Sequence, residues 1–174
     1  MHRQPMAIDQ LVLRPFHTLD KRWMLLTAGN ATGSFNPMTI SWGALGTVWN
    51  KPFAMTLVRP TRHTYGLMDQ GHDFTLSVFP EELKKRVHGV CGTQSGRDLD
   101  KVAATGLTPV PSTEVEAPGF DEAELILECR QIYRDDLDPS LFMAPGIHKL
   151  YTDDHHRFWF GEVVAVHGTE AWRA

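Results

Sequence analysis

Cysteine is scarce in this 174-residue chain: Cys91 and Cys129 are the only two. So few exclude a disulfide scaffold and suit a reducing compartment, and the expected location is the cytoplasm. No apolar run approaches ~18 residues, so no membrane partner is expected. The opening Met-His-Arg-Gln-Pro-Met is not followed by the continuous apolar stretch of a secretory signal. Basic charge is short as well, with 17 Lys and Arg against 21 Asp and Glu for a net charge of −4. Lys84-Lys85-Arg86 is a short patch and not a stripe, which argues against a nucleic-acid partner. Phosphate-binding fingerprints are missing too. Gly29-Asn-Ala-Thr-Gly-Ser is neither a Gly-x-Gly-x-x-Gly turn nor a P-loop, and no Gly-x-Ser-x-Gly elbow occurs.

What is present is strand-like. The length and the 42% hydrophobic fraction fit one domain spanning residues 1–174 around a real core. Trp23 to Gly29, Asp73 to Phe79, Glu122 to Tyr133 and Arg157 to His167 read as strands. Between Thr39 and Arg59 two apolar strands meet at a turn over Asn50-Lys51-Pro52. In the first, Thr39, Ser41, Gly43, Leu45, Thr47 and Trp49 share a face; the second, Phe53 to Arg59, is apolar enough to be buried on both faces. Helices are few. One spans Tyr65 to Gln70. Another begins at Pro80, with acids first, bases last and Leu83, Val87 and Val90 on one side. A third runs from Asp98 to a stop at Gly106. Thr108–Gly119 and 135–156 are irregular. The pattern predicts a mainly β protein, a closed or nearly closed barrel with short helical excursions.

Three constellations carry chemistry. Arg59, Thr61, Arg62, His63 and Thr64 fall within six residues after the second strand, beside Trp42. Guanidinium forks and hydroxyls are what a phosphate dianion selects, although strand-end arginines also serve simply to solvate an edge. Cys91 and Arg97 have the Cys-x5-Arg spacing of cysteine-dependent phosphatases. That loop should follow a strand, whereas Cys91 follows a helix, so an inter-helix turn with a buried thiol competes with it. His148, His155, His156 and His167 with Asp153 and Asp154 match no metal-ligand spacing and read as polar surface turns.

Taken in order, several segments resemble the flavin reductase-like FMN-binding split-barrel family, in its flavoredoxin branch. They are Asn36-Pro-Met-Thr-Ile-Ser-Trp-Gly, Trp49-Asn-Lys-Pro, Arg59-Pro-Thr-Arg-His-Thr-Tyr, Phe74-Thr-Leu-Ser-Val-Phe, Cys91-Gly-Thr-Gln-Ser-Gly-Arg-Asp-Leu-Asp-Lys, Glu122-Ala-Glu-Leu-Ile-Leu-Glu-Cys-Arg and Gly161-Glu-Val-Val-Ala-Val. The resemblance implies a Greek-key-like split barrel that binds FMN without a covalent bond. It also implies a homodimer with the flavin at the subunit interface. Electrons would pass from NAD(P)H or a protein donor through FMN to an acceptor that the sequence does not identify. With no dinucleotide fold, a nicotinamide donor would have to stack transiently on the flavin. Arg59, Arg62, Thr64 and Lys101 are expected at the phosphate. Asn36, Met38, Thr39, Ile40, Ser41 and Trp42 are expected at the ring and ribityl chain, with backbone groups of the Thr39–Gly43 strand facing the ring edge and Trp42 forming a wall. His148 is loosely implied near the flavin. No side chain is expected to act as a catalytic acid or base, because the redox chemistry belongs to the cofactor. A carrier without turnover and the Cys91 phosphatase are the alternatives.

Overall fold

The computed structural model describes residues 2–174. In chain order the elements are β1 Gln4–Met6, α1 Pro15–His17 running into a wide turn over Thr18–Arg22, β2 Met24–Gly29, β3 Phe35–Ile40, β4 Gly43–Val48, β5 Lys51–Val58, α2 His63–Gln70, β6 Asp73–Val78, α3 Glu81–Thr93, α4 Lys101–Thr105, β7 Pro109–Val110, β8 Gly119–Phe120, β9 Leu125–Asp136 and β10 Arg157–Gly168. Among the described residues no helix is long and apolar enough to cross a membrane.

One antiparallel sheet runs β3-β2-β6-β9-β10-β5-β4, with β1 added to β10. Its two end strands, β3 and β4, are consecutive in the chain and separated only by Ser41 and Trp42. The sheet therefore has to curl until its ends meet. Among the described residues no ladder joins them, so the barrel is split at Ser41-Trp42. This corrects the single strand expected over 39–49. β3 pairs with β2 and β4 with β5, on opposite sides of the split, and two residues outside both ladders make the change of partner.

The hairpin also turns earlier than expected. Val48 pairs with Lys51, which leaves Trp49-Asn50 as a two-residue turn with φ of 49° and 57°. Positive φ at both positions is the I′ geometry that matches strand twist; Asn tolerates it readily and Trp rarely does. Pro52 sits inside β5 opposite Thr47, beyond the end of the β10 ladder, where its missing N–H costs no pairing.

Inward residues of the main sheet form the barrel core, among them Met24, Leu26, Met38, Ile40, Phe74, Leu76, Leu127 and Trp159. β5 joins it only through Ala54, Thr56 and Val58, while Phe53, Met55 and Leu57 stay partly exposed on the outside. The expectation that β5 is buried on both faces thus fails, because the helices cover a different sector. α3, α4 and the β7–β8 excursion build a second core on the outside of β2 and β9, from Leu25, Phe79, Val87, Cys91, Leu107, Phe120, Ala123 and Ile126. α3 runs on to Thr93 and takes Cys91 into its buried stripe. α4 is shorter than expected. Asp100 caps it by accepting Ala103 N–H at 3.1 Å, and it ends on left-handed Gly106.

The excursion is tied down by one buried carboxylate. Glu128 accepts the N–H groups of Thr113 and Glu114 at 3.0 and 2.7 Å and lies 2.9 Å from His167 Nε2. Burial alone would push this carboxyl up, but the bonds from His167, Thr113 and Glu114 outweigh it and hold the group below its usual range. A depressed carboxyl stabilises the fold above its unfolded pKa and loses that contribution as pH falls through its folded value. Glu128→Gln is therefore expected to cost about 1–3 kcal/mol at pH 7, since its amide sets a donor against backbone donors. The gap from wild type should narrow as pH falls below about 4.3, where the unfolded carboxyl protonates before the depressed native one. Urea unfolding of both proteins across pH checks this; a gap that does not change with pH would rule it out.

Candidate functional site

Two cavities meet at the split. The first, about 220 Å³, is lined by Met38, Thr39, Ile40, Ser41, Trp42, Leu57, Arg59, Arg62 and His156. The second, about 200 Å³, is lined by Asn36, Thr61, Arg62, His63, Thr64, Thr93, Gln94, Ser95, Gly96 and Lys101. Arg62 belongs to both. All ten residues singled out in the sequence border one cavity or the other.

The first cavity exists because the ladder lapses at Ser41-Trp42. Backbone groups that would have paired within a sheet are left beside it, flanked by the end of β3 and the outer face of β5. Thr39 lines the cavity with its hydroxyl engaged by His88 Nδ1 at 3.0 Å. Gly92 of α3 packs against that threonine, a Cβ there standing 3.4 Å from its side chain. Trp42 is 44% exposed and packs on His156 with ring centroids 5.2 Å apart. The wall is thus aromatic on one side and aliphatic on the other.

The second cavity is cationic and lies where α2 begins. The first N–H groups of a helix have no acceptor within it, and His63 and Thr64 of this first turn line the cavity. Thr64 is buried, and its Oγ1 accepts Asn36 Nδ2 at 2.7 Å, which leaves the hydroxyl proton free to donate. The Ser95-Gly96 turn presses on Asn36: a Cβ on Gly96 would overlap Asn36 Oδ1. Lys101 is buried, with Nζ donating to Pro37 O at 2.9 Å and reaching Cys91 O at 3.4 Å. Arg62 donates to Gly92 O at 2.9 Å. Among the described residues, none of Arg62, Arg97 and Lys101 pairs with a carboxylate. Burial lowers the pKa of Arg62 and Lys101, and neighbouring positive charge lowers both further. His63 is lowered by burial and then by Arg97 and Lys101. Cations held close together with no counter-charge form a ready anion site.

Arg59 stands apart. Sequence grouped it with Arg62 at the phosphate, yet it borders the first cavity and is engaged by Asp154 at 2.7 Å. The separation follows from Pro60-Thr61, which turns the chain between the end of β5 and the start of α2.

The other constellations disperse. Cys91 is fully buried within α3, and burial pushes its thiol up to about 11, with Lys101 opposing weakly. Arg97 donates instead to Thr61 O at 3.2 Å. No thiolate cradle of the phosphatase kind forms. His155 packs on Tyr151, His148 on Phe142, and His167 meets Glu128. His156, in a segment whose sequence suggests a polar surface turn, is buried at the first cavity. Burial, reinforced by Arg59, lowers its pKa to about 4. The overlooked signal was parity: two residues before Phe158, it shares the outer face on which Phe158 pairs with Leu57.

An open antiparallel barrel with a cationic cavity at its split defines a split-barrel domain. Residues 16–173 match the model of the flavin reductase like domain, and the chain belongs to that family. Solved structures agree on the fold. The flavoredoxin of Desulfovibrio vulgaris (Miyazaki F) is similar with a TM-score of 0.67 at 23% identity, over 86% of this chain and 70% of that one. An FMN-binding domain of a flavin reductase-like enzyme from Shewanella baltica OS155 gives 0.68 at 15%, over 96% and 77%. The 2-nitrobenzoate 2-nitroreductase of Pseudomonas fluorescens gives 0.66 at 19%, over 98% and 78%. A search of curated proteins returned no match. Family membership supports a flavin-related redox role.

Proposed function

We propose that residues 1–174 form one FMN-binding domain that passes electrons from NAD(P)H or a protein donor through FMN to an acceptor. The observation that carries this reading is the uncompensated cationic cavity of Arg62, Lys101 and Thr64, which shares Arg62 with an aromatic-walled cavity at the barrel split. A phosphate fits the first and an apolar ring system the second, and Arg62 spans the two. The flavin, when bound, supplies the redox chemistry. Arg62, Thr64 and Lys101 hold its phosphate, with Asn36 fixing the Thr64 hydroxyl. Met38, Thr39, Ile40 and Ser41 offer main chain to the ring edge, while Trp42 and His156 shield it from water. Arg59 closes the ring side.

The same reading takes the protein as a cytoplasmic homodimer without a nucleic-acid partner. Trp49, Phe53, Tyr133, Phe158 and Phe160 form a connected aromatic patch outside β5, β9 and β10, with neighbouring centroids 5.1–6.2 Å apart. That patch continues through Leu57 into the ring cavity and supports a subunit interface there. NAD(P)H oxidation by the FMN-loaded protein separates a reductase from a carrier without turnover.

FMN is expected to bind more tightly than riboflavin. Arg62→Ala should weaken FMN by about 1.5–3 kcal/mol, the worth of one charge-assisted bond, and riboflavin far less. Fluorescence titration of both ligands tests the assignment, and equal losses would remove the phosphate from this cavity.

A further inference from the structure

His63 is the only imidazole lining the second cavity among the described residues, and it opens α2. Its side chain is half-buried. The ring edge stands against the Ser95-Gly96 turn, where a Cβ on Gly96 would lie 3.0 Å from His63 Cδ2. The polar bonds of this cavity join Asn36 to Thr64, Arg62 to Gly92, Arg97 to Thr61 and Lys101 to Pro37. None of them reaches His63, so both ring nitrogens remain open to a ligand.

The charges around this ring are of one sign. Arg62 precedes it at the start of α2, Arg97 comes from the turn after α3, and Lys101 comes from α4. The end of β5 brings Thr61 and β3 brings Asn36, both neutral. Asp98 and Asp100 precede α4, yet neither lines the cavity, and Asp100 is taken up in capping that helix. Burial, then Arg97 and Lys101, hold the imidazole below its ordinary 6.5, so it is mostly neutral at neutral pH. An arriving anion reverses both influences of its surroundings. It offsets the neighbouring cations and gives a ring N–H an acceptor, and each change favours the imidazolium.

We propose that His63 is a ligand of the anion held in this cavity, and that it takes up a proton from solvent as the anion binds. The proposal rests on the reading of this cavity as the phosphate site, and not on the ring that the phosphate carries. Binding then raises the pKa of the ring. Affinity is greatest below the value of the empty protein and falls as pH rises through the value of the complex. The grip on the phosphate is therefore tightened by mild acid.

The test uses the full chain and sulfate, which stays a dianion where the phosphate of FMN itself titrates, at about pH 6. Imidazole resonances are followed by NMR from about pH 5 to about pH 8, with His63 assigned by its loss in His63→Gln. The His63 midpoint should lie below 6.5 in the free protein and rise by about one pH unit or more with saturating sulfate. Arg62→Ala should remove most of that rise. Sulfate affinity should fall about tenfold across the range in wild type, and about twofold or less in His63→Gln. An unmoved midpoint with sulfate bound would overturn the role of His63 and leave the phosphate site standing. Equal pH dependence in wild type and His63→Gln would overturn it too, as would a full rise in Arg62→Ala, which puts the sulfate elsewhere. A raised midpoint in a protein that binds no FMN would uphold the proposal and defeat the flavin reading. A wild type that binds neither sulfate nor FMN would defeat the phosphate reading and this proposal with it.

Discussion

Gly96→Ala is expected to weaken FMN binding by roughly 10- to 100-fold, with riboflavin affected about threefold or less. The added methyl would overlap Asn36 Oδ1 and come within 3.0 Å of His63 Cδ2. Asn36 is buried and cannot swing into solvent. Any shift breaks its 2.7 Å bond to Thr64 and reorients the hydroxyl at the mouth of α2. Overpacking of this kind costs about 1–3 kcal/mol, and the loss falls on the pocket because the turn and the asparagine move against each other there. Titration of the two flavins by fluorescence decides the matter, with circular dichroism confirming the fold. FMN affinity within about twofold of wild type would mean that the Gly96–Asn36 contact does not shape the phosphate cavity.

Trp159→Ala should lower stability by about 3–5 kcal/mol, a large part of the 5–15 kcal/mol typical of a folded domain. Trp159 is fully buried in the barrel and meets Tyr65 edge-on at 5.4 Å. Its removal leaves a void under α2, the helix that carries Thr64. The urea midpoint should fall by roughly 1–5 M, given slopes near 1–3 kcal/mol/M. Trp159→Phe should cost much less, because the indole Nε1 has no hydrogen-bond partner among the described residues. A fall below about 0.5 M in the alanine variant would show that the barrel closes around the gap.

Local features of the site were legible without coordinates. The charges and hydroxyls of 59–64 lie next to one another in the chain, and a strand ending at a proline sets them at one edge of the sheet. The stop at Gly106 and the acid-to-base order of α3 are likewise properties of neighbouring residues. The resemblance extended this to Lys101, which periodicity alone could not connect to Arg62.

By itself the sequence determined the strand runs, the helical stripes and the residue types at 36–42, 59–64 and 95–101, since alternation, caps and turns depend on residues a few places apart. Only the tertiary structure decided that the chain breaks at Ser41-Trp42, because that break reflects which strands lie on either side of a curled sheet. It also decided that the two guanidiniums, both at the first cavity, take different partners. Arg62 meets Lys101, Gly92 and Gly96 without a counter-charge, while Arg59 is claimed by Asp154, 95 residues away. His156 became a wall of the cavity for the same reason. Pairings at such separations are fixed by the order and curvature of the strands that bring the segments together, and a hydrophobic pattern reports only which face of a strand a residue occupies.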